Sequence, residues 1–121
     1  MARVLVVEDY EALRNLYRIG LETAGHEVLM TGAGNEAKQL LTANIPDILI
    51  TDLQLPDVLA SELIQLACNV NPVAKILVIS GESEEVVRRS GISDDVQVLL
   101  KPFEISDLIC TVEELNHGKR R

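Results

Sequence analysis

Along this chain, apolar residues gather in five short runs, at residues 3–7, 27–30, 47–51, 75–79 and 96–100. Between the runs, apolar positions recur instead at three- and four-residue intervals. Runs this short, apolar at consecutive positions and rich in Val, Ile and Leu, read as strands covered on both faces, and the spaced stretches read as amphipathic helices. The first helix carries Leu13, Leu16, Tyr17, Gly20 and Ala24 on its inner stripe, with Gly25 placed to end it. The second carries Ala37, Leu40 and Leu41. A third, with Leu59, Leu63, Leu66, Ala67 and Val70, stops short of Pro72, because the residue before a proline resists helical geometry. A fourth, over residues 84–90, is short. Ser106 is a suitable N-cap for the last, whose stripe is Leu108, Ile109, Val112 and Leu115. Five strands separated by single helices make an α/β, (βα)5 domain, doubly wound, with a parallel sheet covered on both sides.

Composition narrows this picture. At 121 residues the chain fits one domain, and 47% hydrophobic residues are enough to fill its core. Lacking an apolar run near the ~20 residues of a membrane span, and with Arg3 leading straight into a strand, it is expected to be cytoplasmic and free of membrane. Eleven basic against nineteen acidic residues give net −8, which argues against direct nucleic-acid binding. Cys68 and Cys110 follow no metal-ligand spacing and are expected to be reduced packing residues. His26 and His117 are isolated and are expected at the surface. Two Tyr, one Phe and no Trp leave the core aliphatic.

Candidate chemistry sits where the strands end. In open α/β sheets ligands bind beyond the carboxyl ends of the strands, where the strand order reverses. The first strand runs into Glu8 and Asp9, the third into Asp52, the fourth into Ser80 and the fifth into Lys101. With strand order 2-1-3-4-5, the first and third strands adjoin, and three carboxylates converge with a hydroxyl and an ammonium. Like charges held together call for a cation. Hard oxygen donors with open water positions suit Mg²⁺, usually beside a phosphate, so a phosphoryl group is implied. Lys101 offers a point charge to it and Ser80 a donor, while an Asp beside a metal can act as a nucleophile.

This constellation resembles the response-regulator receiver domain of two-component signalling. The resemblance rests on VLVVEDYEALR, DILITDLQLPD, KILVISG and LLKPF, with 43 residues from Asp9 to Asp52, 28 more to Ser80 and 21 more to Lys101. It covers essentially the whole chain, 1–121, and implies a flavodoxin-like sheet. It further implies that Asp52 accepts a phosphoryl group from the phosphohistidine of a histidine kinase or phosphotransfer protein. Asp9 would bind Mg²⁺ directly, Glu8 mainly through its water, and the Gln54 backbone carbonyl would join them. Lys101 would pair with the phosphoryl group and Ser80 would be the switch hydroxyl, with a cis Lys101–Pro102 bond. Such a domain is not a conventional enzyme, since it catalyses only its own phosphorylation and dephosphorylation. Its output would be a contact with a downstream protein or effector domain, or a homodimer, through the fourth helix, fifth strand and fifth helix.

Some positions depart from the family pattern. Val98 stands where an aromatic is usual, so activation is expected to move residues 81–90 rather than flip a ring. Ala60 replaces a common Gly, and the loop before it is expected to shift slightly. Gln54 and Glu82, two residues beyond Asp52 and Ser80, are where the family tunes water access to the phosphoryl group. Residues 32–37 also fit a G-x-G-x-x-A dinucleotide fingerprint, but at the second strand rather than the first, and that reading leaves Glu8, Asp9, Ser80 and Lys101 unexplained. A phosphorylation-independent adaptor is the other rival, disfavoured by the intact five-residue set. Residues 117–121 read as a frayed basic helix end or the start of a linker; the five units use the chain to about Asn116, leaving the output to a contact.

Overall fold

The computed structural model describes residues 1–117. Its elements alternate from end to end: β1 (Arg3–Val7), α1 (Glu11–Thr23), β2 (Glu27–Thr31), α2 (Gly34–Asn44), β3 (Ile48–Asp52), α3 (Ala60–Val70), β4 (Lys75–Ser80), α4 (Glu84–Arg89), β5 (Gln97–Leu100) and α5 (Ile105–Asn116). All strand pairs are parallel, in the order β2-β1-β3-β4-β5. The expected (βα)5 sheet and its strand order are therefore present. The basic tail expected beyond Asn116 falls, apart from His117, outside the described residues.

Alternation along each strand sends neighbouring side chains to opposite faces, and each face has its own apolar cluster. Leu5, Val7, Leu49 and Val78 meet Ala37, Leu41, Leu63 and Ala67 of α2 and α3, with Val87 of α4 closing that side. On the other face Val4, Val6, Ile48, Ile50, Leu77 and Ile79 meet Tyr17 and Leu21 of α1 and Leu108, Val112 and Leu115 of α5. The central strands are buried on both sides, whereas the edge strands β2 and β5 are only half-buried. No helix among the described residues is long and apolar enough to cross a membrane.

Several expected details are corrected. The inward row of α1 is Leu13, Tyr17 and Leu21, spaced by four; Leu16 and Ala24 point outward, and Gly20 lies against Ile105 of α5. Leu59 is exposed because it precedes α3 instead of lying on its inner face. Ala60 adopts no left-handed conformation; it opens α3 as an ordinary helical residue. Ser106 is not the cap of α5. The cap is Glu104, two residues earlier, and Asp107 reaches back to accept the Glu104 N–H at 3.0 Å. Cys110 is exposed on α5, so it is no packing residue, while Cys68 is half-buried.

His26 is the largest departure, being buried rather than solvated. Its Nδ1 accepts the Ala2 N–H at 3.1 Å, which leaves the proton on Nε2 to donate to Glu113 at 2.9 Å. One ring thus joins the start of β1, the start of β2 and the last turns of α5. His117 lies 3.6 Å from the same Glu113, so neither histidine is isolated.

The turn from α2 into β3 holds the one non-glycine residue with positive φ among those described, Ile45 at 48°. A β-branched side chain is a poor occupant of this region, costing about 1–2 kcal/mol relative to right-handed backbone. The corner keeps its shape because Arg3 donates its backbone N–H to Asp47 and its guanidinium to the Asn44 carbonyl. Ile45→Asn, which suits left-handed geometry, is expected to raise unfolding stability by roughly 1 kcal/mol, measured by urea denaturation; an unchanged or lower midpoint would contradict it.

Candidate functional site

Parallel pairing with β1 and β3 side by side brings their carboxyl ends together. In register, Val7 of β1 lies opposite Thr51 of β3, so the next residues on each strand, Glu8 and Asp52, leave the sheet at one level. One oxygen from each of Glu8, Asp9 and Asp52 lies within 4.8 Å of the others. Asp52 is the last residue of β3 and Ser80 the last of β4, each one position beyond the run that the sequence marks as strand. The Leu53 N–H donates to Ile79 and the Lys101 N–H to Ser80, tying the three loops to one another just above the sheet.

Lys101 enters this cluster from β5, its Nζ 3.4 Å from Asp52 Oδ1 and 3.8 Å from Glu8 Oε1. Glu8 is 2% exposed and Asp52 8%, whereas Asp9 is open to solvent. The Tyr10 N–H donates to Glu8 Oε2 at 3.1 Å, but Glu8 Oε1 is buried without a hydrogen-bond partner. An orphaned carboxylate oxygen in a buried site is costly, and it faces the gap between three acidic groups. That donor set, all hard oxygen with one side open, fits a small divalent cation such as Mg²⁺.

Burial dominates the titration of the pair. It pushes Glu8 up to about 7, helped by the charge of Asp52 and opposed by the Tyr10 amide and Lys101. Asp52 is also raised by burial, with Lys101 pulling the other way. Tyr17, buried on α1, is driven up by burial and then by the charges of Glu8 and Asp52.

Other predicted residues lie where the sequence puts them but not all touch the cluster. Ser80 is buried, and its Oγ accepts the Glu82 N–H at 2.9 Å, leaving its own proton as a donor. Gln54 and Glu82 are exposed on the loops after β3 and β4, and neither side chain joins the hydrogen bonds of the cluster. Sequence reasoning overlooked Arg14, whose guanidinium donates to the Glu8 carbonyl at 2.8 Å and pins the acidic turn from the first helix. The signal was its place six residues after Glu8, about one turn into α1. The fingerprint over 32–37 has another purpose. The α2 amides that would meet a pyrophosphate, those of Gly34 and Asn35, already donate to the Asp57 carboxylate.

Residues 4–113 match a family model described as the response regulator receiver domain. Over 116 residues the chain is 31% identical to the response regulator receiver protein CpdR of Brucella abortus, covering 95% of this chain and 97% of that one. It is 34% identical to the virulence transcriptional regulatory protein PhoP of Salmonella choleraesuis over 95% of its own length and 52% of PhoP's, so it spans about half of that relative. The solved structure of chemotaxis protein CheY4 of Vibrio cholerae superposes with a TM-score of 0.85 at 26% identity, covering 94% of this chain and 98% of that one.

The raised Glu8 carboxyl gives a pH dependence of defined sign. Its ordinary value is 4.5 and its folded value about 7, so between them the native state holds a proton the unfolded chain has released. Stability of the metal-free protein should therefore fall as pH rises through that window, by at most about 1.4 kcal/mol per pH unit for one proton. Thermal melts in chelator at pH 5 and 7.5 should show the loss, Glu8→Gln should flatten it, and Mg²⁺ should stabilise more at pH 7.5. A flat profile in the parent would refute the assignment.

Proposed function

Because the chain belongs to the response-regulator receiver family, we propose that it is a phosphoacceptor, with Asp52 receiving a phosphoryl group from the phosphohistidine of a histidine kinase or phosphotransfer protein. The observation that carries this reading is the Lys101 ammonium 3.4 Å from a buried Asp52 carboxylate, inside a cluster of three carboxylates with one orphaned oxygen. Asp9, Asp52 and the Gln54 backbone carbonyl would hold Mg²⁺, with Glu8 acting mainly through its water. The ion supplies positive charge to the phosphoryl oxygens.

The protein's own part is placement and charge. Lys101 opposes the rise that burial imposes on Asp52 and so favours the ionised carboxylate, whose oxygen lone pair is the one offered to phosphorus. As the new O–P bond forms, the P–N bond to the donor imidazole breaks and its electron pair stays on the ring nitrogen. The Lys101 ammonium and the Ser80 hydroxyl would then pair with the equatorial oxygens. Phosphorylation biases a two-state equilibrium to the extent that these groups bind the phosphate better in one state. The readout is a contact with a downstream protein, an effector domain or a second copy. The net charge of −8 gives no support to direct contact with nucleic acid. Chemistry on the chain is confined to its own phosphorylation and dephosphorylation.

Incubation with acetyl phosphate is expected to give an acid-labile phosphate that requires Mg²⁺, is absent in Asp52→Asn, and forms at least tenfold more slowly in Lys101→Ala. No Mg²⁺-dependent phosphate on the parent would leave a phosphorylation-independent adaptor as the better reading.

Gln54 and Glu82 are exposed on the loops two residues beyond Asp52 and Ser80. Gln54 would orient the attacking water and Glu82 would repel the phosphoryl group or orient that water. Single alanine variants are expected to change the dephosphorylation rate several-fold, followed by loss of radiolabel; rates equal to the parent's would remove both from the mechanism.

A further inference from the structure

The glycine-rich turn at 32–37 leads to a second function for the loop after Asp52. Ala33, the residue before α2, has no side chain to cap the helix. Asp57, from the distant β3–α3 loop, caps it instead: Oδ1 accepts the Gly34 N–H and Oδ2 the Asn35 N–H, both at 2.9 Å. A carboxylate at the positive end of a helix dipole is favourably placed, and the two amides, Asn35 first, hold its pKa below the usual carboxylate value. Gly34 is what allows this approach. A Cβ there would stand 2.9 Å from Asp57 Oδ1 and closer still to the Val58 side chain.

The loop so held is the one that leaves the phosphoacceptor. Its start is fixed by the Leu53 N–H on Ile79, and its end by the Leu59 N–H on Glu62 Oε1 at 3.3 Å. Between these anchors the Asp57 clasp is the polar tie that fastens it to another element, with Leu55 and Val58 resting against the core. Gln54, whose carbonyl is assigned to the metal, lies between the Leu53 anchor and the clasp. The geometry points to Asp57 as a positioning residue: by clamping the β3–α3 loop to the N-terminus of α2, it presets the Gln54 carbonyl and the loop amides for the cation and phosphoryl group. This rests on the receiver reading above.

The test uses the full chain and Mg²⁺ alone as probe, with affinity read from amide shifts. Asp57→Ala is expected to weaken Mg²⁺ binding roughly tenfold, the usual scale for groups that orient a metal's ligands, and to speed hydrogen exchange at Gly34 and Asn35. Phosphorylation by acetyl phosphate should slow at limiting Mg²⁺ and recover at saturation. Asp57→Asn, which keeps one acceptor, should fall between, and Gly34→Ala should reproduce the loss from the other side of the clasp. Asp47→Ala, which removes the acceptor of the Arg3 N–H at the opposite end of the sheet, should leave Mg²⁺ affinity unchanged.

The inference is overturned if Asp57→Ala frees the two amides yet binds Mg²⁺ as the parent does, for Asp57 would then be a helix cap only. It is equally overturned if Asp47→Ala weakens Mg²⁺ as much, since the loss would be general destabilisation. A parent that binds no Mg²⁺ would instead overturn the receiver reading, and this one with it.

Discussion

Everything at the carboxyl edge of the sheet follows from one constraint: two adjacent parallel strands, β1 and β3, end at the same level in carboxylates. Coulomb repulsion at these distances in a half-dry site would drive such groups apart or keep them protonated. The fold does not let them separate, because each is welded to a strand whose other residues fill both apolar clusters. The cost is met locally instead. Lys101 lies within 4 Å of two of the three acids, and Glu8 gives up its charge near neutral pH. A site arranged this way has affinity for added positive charge built into it, and a phosphoryl group on Asp52 would restore the negative charge that a bound cation balances.

Holding that arrangement requires ties outside the cluster. Arg14 fixes the Glu8 carbonyl from α1, the Lys101 amide is fixed by Ser80, and the loop after Asp52 is fixed by Asp57 on α2. Each tie comes from a different element, so the acidic turn and the two loops are referenced to the sheet and to helices on both of its faces. The N-terminus of α2 is thereby occupied by the chain's own carboxylate, which accounts for Gly34, while Gly32 leaves room for the Arg14 guanidinium, without any nucleotide.

How much of this was legible in the sequence follows from range of interaction. Strand runs and helix stripes are local patterns, so the five βα units and the residues that end each strand could be read directly. The convergence of Glu8, Asp9, Asp52 and Lys101 needed only one topological premise, the strand order. His26 and Asp57 escaped because their partners, at Glu113 and Gly34, are set by tertiary placement that no periodicity encodes, whereas Arg14 reaches a partner only six residues away. A polar residue with a distant partner looks the same in sequence as one in water. The inward face of α1 was misjudged for a smaller reason: Leu16 and Leu21 are equally apolar, and packing against α5 decides which is covered.

The scarcity of aromatics bears on how a signal would leave the site. Of the chain's three aromatic residues, two stack on each other: Tyr17 and Phe103, with ring centroids 5.9 Å apart. With Lys101, Pro102, Leu13 and Ile105 they line an open cavity of about 230 Å³ between α1 and the start of α5. On β5 the position three before Lys101 is Val98, which packs toward the α2–α3 face, where its two methyls cannot swing between buried and exposed states as a ring does. The aromatic surface beside Lys101 therefore lies on the α1–α5 side. Through its N–H Lys101 is also tied to Ser80, which opens the loop into α4, where Ser80 Oγ holds the Glu82 N–H and Ser83 caps a six-residue helix by accepting the Val86 N–H.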